Sequence, residues 1–208
     1  MVIIDIKKDK KHQAALCFDS GEEILLDTDV FSHVSLHKGM DLSDDQLSQI
    51  QYLSEFLRAK SRALWYLDRC QYSEKGLCEK LIAAKFSKKV SAAVIKRLKE
   101  LSLIDDTRYA KGLCEYLSEN NVSKREIFHK MLQKGIPKDI ITICLEETEI
   151  DESAQIRNII EKKYKNKLSD RVSVDKVYAA LCRKGFPFSV VREVINEYAT
   201  EIRYSDGD

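Results

Sequence analysis

Asp105 and Asp106 are the residues of this chain nearest to catalytic or metal chemistry, because two adjacent carboxylates can bind a divalent cation or divide acid and base roles. No further carboxylate or histidine is placed in sequence to complete such a site. The pair follows Leu103-Ile104 and precedes Thr107-Arg108-Tyr109-Ala110, where the start of a helix needs its free backbone N–H groups capped. Capping accounts for both acids. His12, His33, His37 and His129 have no nucleophile or carboxylate arranged around them. Cys17, Cys70, Cys78, Cys114, Cys144 and Cys182 form no C-x-x-C pair and no zinc spacing with those histidines. They read as reduced thiols that fill apolar positions. No Gly-rich phosphate loop occurs. The expectation is a protein that is not an enzyme, with no catalytic residues, no metal and no cofactor.

The chemistry left is that of clustered positive charge. Over Lys88 to Leu101, at about 100° per residue, Val90, Val94, Leu98 and Leu101 share one helix face, and Lys88, Lys89, Lys96 and Lys99 share the opposite one. Lys75 and Lys80 just before this helix, and Arg97 at its edge, extend the basic stripe. A second cluster gathers Lys162, Lys163, Lys165, Lys167 and Arg171, then Arg183 and Lys184. The whole-chain charge of +1 conceals the pattern. Residues 62–104 hold ten basic and four acidic side chains, a net of +6, and residues 151–198 hold ten and seven, a net of +3. Residues 105–150 between them carry a net of −2. Such stripes suit phosphate or acidic protein, through contacts that are salt-sensitive and largely blind to base sequence.

Rigid elements must hold these faces. Met1 to Lys7 alternates apolar and charged residues, His12 to Phe18 puts Ala14, Leu16 and Phe18 on one face, and Glu22 to Asp27 follows the turn Asp19-Ser20-Gly21. This predicts a small three-stranded meander that must lean on a helix. A short helical turn over Asp29 to Leu36 ends at Gly39. Ser43-Asp44-Asp45-Gln46 has capping-box form and opens a long helix through Leu47, Ile50, Leu53, Phe56 and Leu57, with no Gly or Pro before Gly76. The lone Trp65 on that helix is expected in the core.

From Tyr72 onward a repeat of 50 residues emerges. Ser73, Ser123 and Ser173 stand as helix caps, followed by Leu77, Ile127 and Val177, then Leu81, Met131 and Leu181. Ala84-Lys85-Phe86, Lys134-Gly135-Ile136 and Lys184-Gly185-Phe186 share the next offsets, and Val90, Ile140 and Val190 the last. Each copy reads as three helices. Copy two starts its first helix at Asp105 or Asp106, copy three at Asp151 or Glu152. The second helix ends at the Gly, and the third begins near Lys88, Lys138 and Ser189. Copy three then regains, within Lys165 to Val172, four residues that copy two lacks. The expected organisation is a β segment with a short helical turn (1–42), a leading helix with repeat one (43–104), repeat two (105–150), repeat three (151–200) and a flexible tail (201–208). The fold class is mainly α: tandem three-helix repeats in an elongated curved array, with a small N-terminal β meander.

The composition agrees. Seven Gly and two Pro in 208 residues are too few for a many-turned sandwich, and 33% charged residues leave no apolar run near the ~20 residues of a membrane-spanning helix. A cytoplasmic monomer with no membrane contact is expected.

Leu101-Ser102-Leu103-Ile104-Asp105-Asp106-Thr107-Arg108-Tyr109-Ala110, the pattern Ala63-Leu64-Trp65-Tyr66-Leu67 followed by Tyr72-Ser73-Glu74, and the three Ser-to-Lys-Gly helices together resemble the RecX family of bacterial recombination regulators. Leu36-His37-Lys38-Gly39-Met40-Asp41-Leu42-Ser43 looks like the lead-in of its longer members. The structural joint Leu103, Ile104, Asp105, Asp106, Tyr109 and Ala110 is the most specific piece. Members usually carry Gly where this chain has Lys85 and Ser102, both at helix ends. The resemblance implies a protein without catalytic residues that binds filaments of the recombinase RecA on single-stranded DNA and inhibits ATP hydrolysis, strand exchange and repressor cleavage, within DNA repair and the SOS response. Two other readings remain open on the residues alone. One is direct binding of single- or double-stranded DNA by helix-turn-helix-like units, although the basic face offers mainly Lys and base readout favours Arg, Asn or Gln. The other is a helical-repeat scaffold for a different acidic partner.

Overall fold

Alternating side chains at the N-terminus make strands, and the computed structural model, which describes residues 1–8, 13–164 and 171–205, shows three. Strands β1 (Ile3–Lys8), β2 (Gln13–Phe18) and β3 (Glu23–Asp27) form an antiparallel meander in the order β1-β2-β3. Ile3 pairs with Phe18, and Cys17 pairs with Glu23. A 3-10 helix over Thr28–Ser32 follows. So small a sheet needs a helix to cover its apolar face. Helix α1 (Asp44–Leu67) provides it: Leu47 and Ile50 pack with Ile3, Leu16, Phe18, Leu26, Val30 and Leu42, and the Asp27 N–H donates to Ser54 Oγ at 2.8 Å. The capping box forms as expected, with Ser43 Oγ accepting from Gln46 N–H and the Ser43 N–H donating to Gln46 Oε1.

Helix α1 serves two cores. Its first half faces the sheet through Leu47, Ile50 and Ser54. Its second half turns Ala59 and Ala63 toward α2 (Glu74–Ala83) and α3 (Lys88–Glu100). At about 100° per residue these two faces lie on roughly opposite sides of the helix axis. Leu77, Leu81, Val90, Val94, Ile95, Leu98 and Ile104 complete the first triplet. Trp65 is therefore not in that core: it is 45% exposed. The side it occupies is the one buried earlier along α1 and left open after the core changes sides.

The chain divides into two compact units, Met1–Ile104 and Asp105–Asp208. The second unit holds two further triplets: α4 (Asp106–Glu119), α5 (Lys124–Gln133) and α6 (Lys138–Glu147), then α7 (Glu152–Lys163), α8 (Arg171–Arg183) and α9 (Phe188–Ser205). Leu77, Ile127 and Val177 are all buried, as are Leu81, Met131 and Leu181. The last expected column changes place. Val90 is buried, but Ile140 and Val190 are only half-buried, and one residue later Ser91, Ile141 and Val191 are all fully buried. Ser73 and Ser123 cap α2 and α5 as their spacing predicts. Ser173 does not cap α8, which is already helical at Arg171. Helix α9 runs on to Ser205, through the first part of the segment expected as a tail.

Five helix ends share one hydrogen-bond pattern. The N–H groups of Phe86, Leu103, Val122, Ile136 and Phe186 reach back to the carbonyls of Leu81, Leu98, Leu117, Met131 and Leu181. This is the Schellman closure, and it needs a left-handed residue one position earlier. Gly135 and Gly185 meet the need at φ 82° and 89°, whereas Lys85, Ser102 and Asn121 adopt φ 71°, 54° and 56° without being glycine. The replacements of Gly at positions 85 and 102 thus keep the ordinary cap at a conformational cost.

Candidate partner-binding surface

The acids at the joint act as their spacing suggests. Asp105 caps α4, its Oδ1 accepting from Thr107 N–H at 2.8 Å and Arg108 N–H at 3.1 Å. Asp106 follows in the first turn and is buried, Ile104 belongs to the first triplet core, and Leu103 is exposed as the residue closing the α3 cap. Ala110 is fully buried in the second triplet, with Tyr109 packed against it. Among the described residues no three His, Cys, Asp or Glu side chains gather as a metal site. Burial pushes the Cys114, Cys144 and Cys78 thiols up, opposite to what a nucleophile needs. These cysteines are packing residues.

On α3 Lys88, Lys89, Lys96 and Lys99 are all exposed opposite Val90, Val94 and Leu98, whereas Leu101, expected on the apolar face, lies at the C-cap just past the helix and is 42% exposed. The partners of this lysine face sort the cations. Lys99 Nζ meets Glu74 at 2.7 Å, Arg97 meets Glu100 at 3.0 Å, and Lys75 meets Glu79 at 3.9 Å. Lys89 Nζ lies over the ring of Tyr52, 5.3 Å from its centroid. Lys80, Lys88 and Lys96 make no ion pair among the described residues. Exposed pairs of this kind are worth under about 1 kcal/mol, so a polyanion can recruit the tied cations as well.

In the second cluster, Lys162 and Lys163 sit exposed in the last turn of α7, and Arg183 in the last turn of α8, where cations favour the helix C-terminus. Lys165 and Lys167 lie outside the described residues, and Arg171 opens α8 with its side chain likewise outside them. Lys184 is brought to the second triplet by its backbone: its carbonyl accepts from Ser123 Oγ at 2.7 Å. A Cβ on Gly185 would come within 3.3 Å of Arg125 Cβ, so Arg125 neighbours this cap although it stands 60 residues away in sequence.

Sequence reasoning missed a third basic face. Arg58, Arg62, Trp65 and Arg69 recur at helical spacing, within an arc of about 60° on α1 and its extension, and all four are exposed. The Arg69 guanidinium stacks 3.6 Å from the indole centroid and donates to the Trp65 carbonyl at 2.9 Å. Arg62 lies 5.5 Å from the same ring, and Arg58 lies 5.9 Å from Phe86. The spacing was visible in the sequence; the change of buried side along α1 was not.

Residues 150–195 match the family model described as RecX, third three-helix domain, and residues 59–98 match RecX, first three-helix domain. The regulatory protein RecX of Finegoldia magna is 31% identical over 205 residues, covering 95% of this chain and 100% of that protein. The chain belongs to the RecX family. The regulatory protein RecX of Streptococcus agalactiae serotype V is 30% identical over 203 residues, 97% of this chain and 78% of that one. A crystal structure of a regulatory protein RecX superposes with a TM-score of 0.70 at 25% identity, covering 94% of this chain and 98% of the other. RecX from Lactobacillus salivarius shares the fold at a TM-score of 0.62 and 22% identity, over 70% of this chain and 97% of that one. Helical triplets carry the fold, in keeping with the three-helix domains that match. No described helix is long and apolar enough to cross a membrane.

Proposed function

We propose that this RecX-family chain binds the RecA filament assembled on single-stranded DNA and lowers its ATPase, strand-exchange and coprotease activities, working as a cytoplasmic monomer. The observation that supports this reading is the lysine face of α3, where among the described residues Lys88 and Lys96 stand exposed without a carboxylate partner and Lys89 lies over the Tyr52 ring. A rigid face of unpaired cations suits a partner that is acidic along a line, as a nucleoprotein filament is. Lys75, Lys80, Arg97 and Lys99 widen this face within the first unit, and Lys162, Lys163, Arg183 and Lys184 give the second unit a basic cluster of its own. Binding is then salt-sensitive and independent of base sequence.

The test is the ATPase rate of RecA on single-stranded DNA. Substoichiometric chain lowers the rate, whereas a plain competitor for DNA lowers it only in proportion to the free DNA it covers. Lys88→Glu, Lys89→Glu and Lys96→Glu together weaken filament binding by about tenfold or more at low salt. Undiminished binding by that triple variant removes the α3 face from the site.

A further inference from the structure

The indole of Trp65 is an unusual thing to leave on a surface: it is the only tryptophan in the chain, it is 45% exposed, and Arg58, Arg62 and Arg69 share its face of the helix, with Ser61 and Asp68 at the edge of that face. Arg58, Arg62 and Arg69 have no carboxylate within 4.0 Å among the described residues, in contrast to Arg97, Lys99 and Lys75 of α2 and α3. The ring is held in place. Tyr66 meets it edge-on at 5.3 Å and Tyr72 meets Tyr66 in the same way at 6.2 Å, while Tyr66 packs against the first triplet core. Arg69 is fixed over the ring by its own hydrogen bond to the Trp65 carbonyl. The face is thus a preset alternation of planar ring and guanidinium.

From this juxtaposition we infer that Arg58, Arg62, Trp65 and Arg69 form a binding platform for single-stranded nucleic acid, in which the indole stacks on an unpaired base and the guanidiniums take the flanking phosphates. An unpaired strand offers a flat π-face and an anion at every nucleotide, and both requirements of the platform are met by one ligand. Along the helix Arg58 and Arg62 are about 6 Å apart and Arg62 and Arg69 about 10 Å, distances that reach successive phosphates on either side of one stacked base. An acidic protein would satisfy the cations but leave the ring without apolar company, because the nearest exposed aliphatic on α1, Leu64, points about 100° away. A duplex buries its base faces inside its own stack and offers the ring nothing. The inference goes beyond the regulatory reading: it requires no recombinase and stands or falls without it.

The lone tryptophan is its own probe. A short oligothymidylate titrated into the full chain at low salt quenches Trp65 emission along a saturable isotherm, and a duplex oligonucleotide does so far less. Trp65→Ala, with an unchanged far-ultraviolet circular dichroism spectrum, weakens oligothymidylate binding followed by fluorescence anisotropy roughly 5- to 150-fold, and Trp65→Phe recovers part of the loss. Arg62→Gln lowers the slope of log Kd against log salt by about 0.7. The inference is overturned if the oligonucleotide does not bind, binds without changing Trp65 emission, or binds Trp65→Ala as tightly. It is equally overturned if the duplex or a polyglutamate peptide quenches the indole as strongly as the single strand.

Discussion

The first and third triplets bury side chains at matching offsets, and two of the positions at which they differ bear on stability. Leu77 and Leu81 of the first answer to Val177 and Leu181 of the third, all of them buried. Where the third has Val191 and Gly185, the first has Ser91 and Lys85. Both differences cost stability, since a buried hydroxyl and a left-handed lysine each replace a residue that fits without penalty. Outside the core the contrast runs the other way. The third triplet spends its polar groups on ties to the second: Gln155 Nε2 donates to the Ser118 carbonyl at 2.9 Å, Asn158 to Asn121 at 3.2 Å, and Glu152 accepts from the Lys124 N–H at 3.0 Å. Among the described residues the first leaves Arg58, Arg62, Lys88 and Lys96 without carboxylate partners. The common interior is a matter of volume; the individual roles of the triplets lie in what each does with its charged and polar residues.

Substitution at Gly185 puts the tie between the second and third triplets to the test. Gly185→Ala must accommodate a Cβ 2.7 Å from Ser123 Oγ, an oxygen already engaged with the Glu126 N–H and the Lys184 carbonyl, while holding φ at 89°. The expected loss is about 2–3 kcal/mol, which lowers the melting midpoint of that unit by roughly 10 °C. Gly21→Ala has a similar φ of 85° but nothing within 4 Å, and it costs only about 1 kcal/mol. Equal effects of the two would show that the contact at Ser123 yields freely.

Ser91 sharpens the comparison from the first triplet's side. Its Oγ is buried with no hydrogen-bond partner among the described residues, at the offset filled by Ile141 and Val191 in the other copies. Ser91→Ala removes an orphaned hydroxyl at little cost in volume. Chemical denaturation is expected to show a gain of about 1 kcal/mol, or roughly 4–8 °C in thermal unfolding. A loss on this substitution would mean that the hydroxyl is satisfied in solution and that the first triplet carries no defect there.

The sequence revealed those features that depend on local chemistry or on a preserved period. Ser43, Ser73, Ser123, Asp105 and Asp151 cap helices because each is a short polar residue followed by an amphipathic run. The lysine face of α3 was equally readable, since its apolar residues stay on one side from end to end. Trp65 was misread because a continuous helix carries no mark of where its buried side changes: periodicity assigns a residue to a face, and only the neighbouring elements decide which face is covered. Ser173 failed as a cap for a related reason, as a good capping residue two positions inside an already formed helix has no free N–H to cap. The approach of Gly185 to Ser123 depends on packing between triplets, which no single repeat encodes.

The smallest expected effect bears most directly on why the first triplet departs from the shared pattern. Lys85 closes α2 with the same hydrogen bonds that Gly135 and Gly185 make for α5 and α8, Lys85 N–H to the Ile82 carbonyl and Phe86 N–H to the Leu81 carbonyl. The bonding is therefore already complete, and Lys85→Gly changes only the cost of φ 71° against the extra freedom of glycine in the unfolded chain. Relief of about 1–2 kcal/mol set against about 0.4–1 kcal/mol leaves a net gain near 0.5–1 kcal/mol, measurable as a raised denaturation midpoint with unchanged denaturant dependence. Lys85 is exposed and adds a cation between α2 and α3, so the glycine variant should gain stability while weakening polyanion binding. If stability rises and binding stays constant, the lysine is a tolerated defect; if both change as expected, the first triplet trades cap geometry for surface charge.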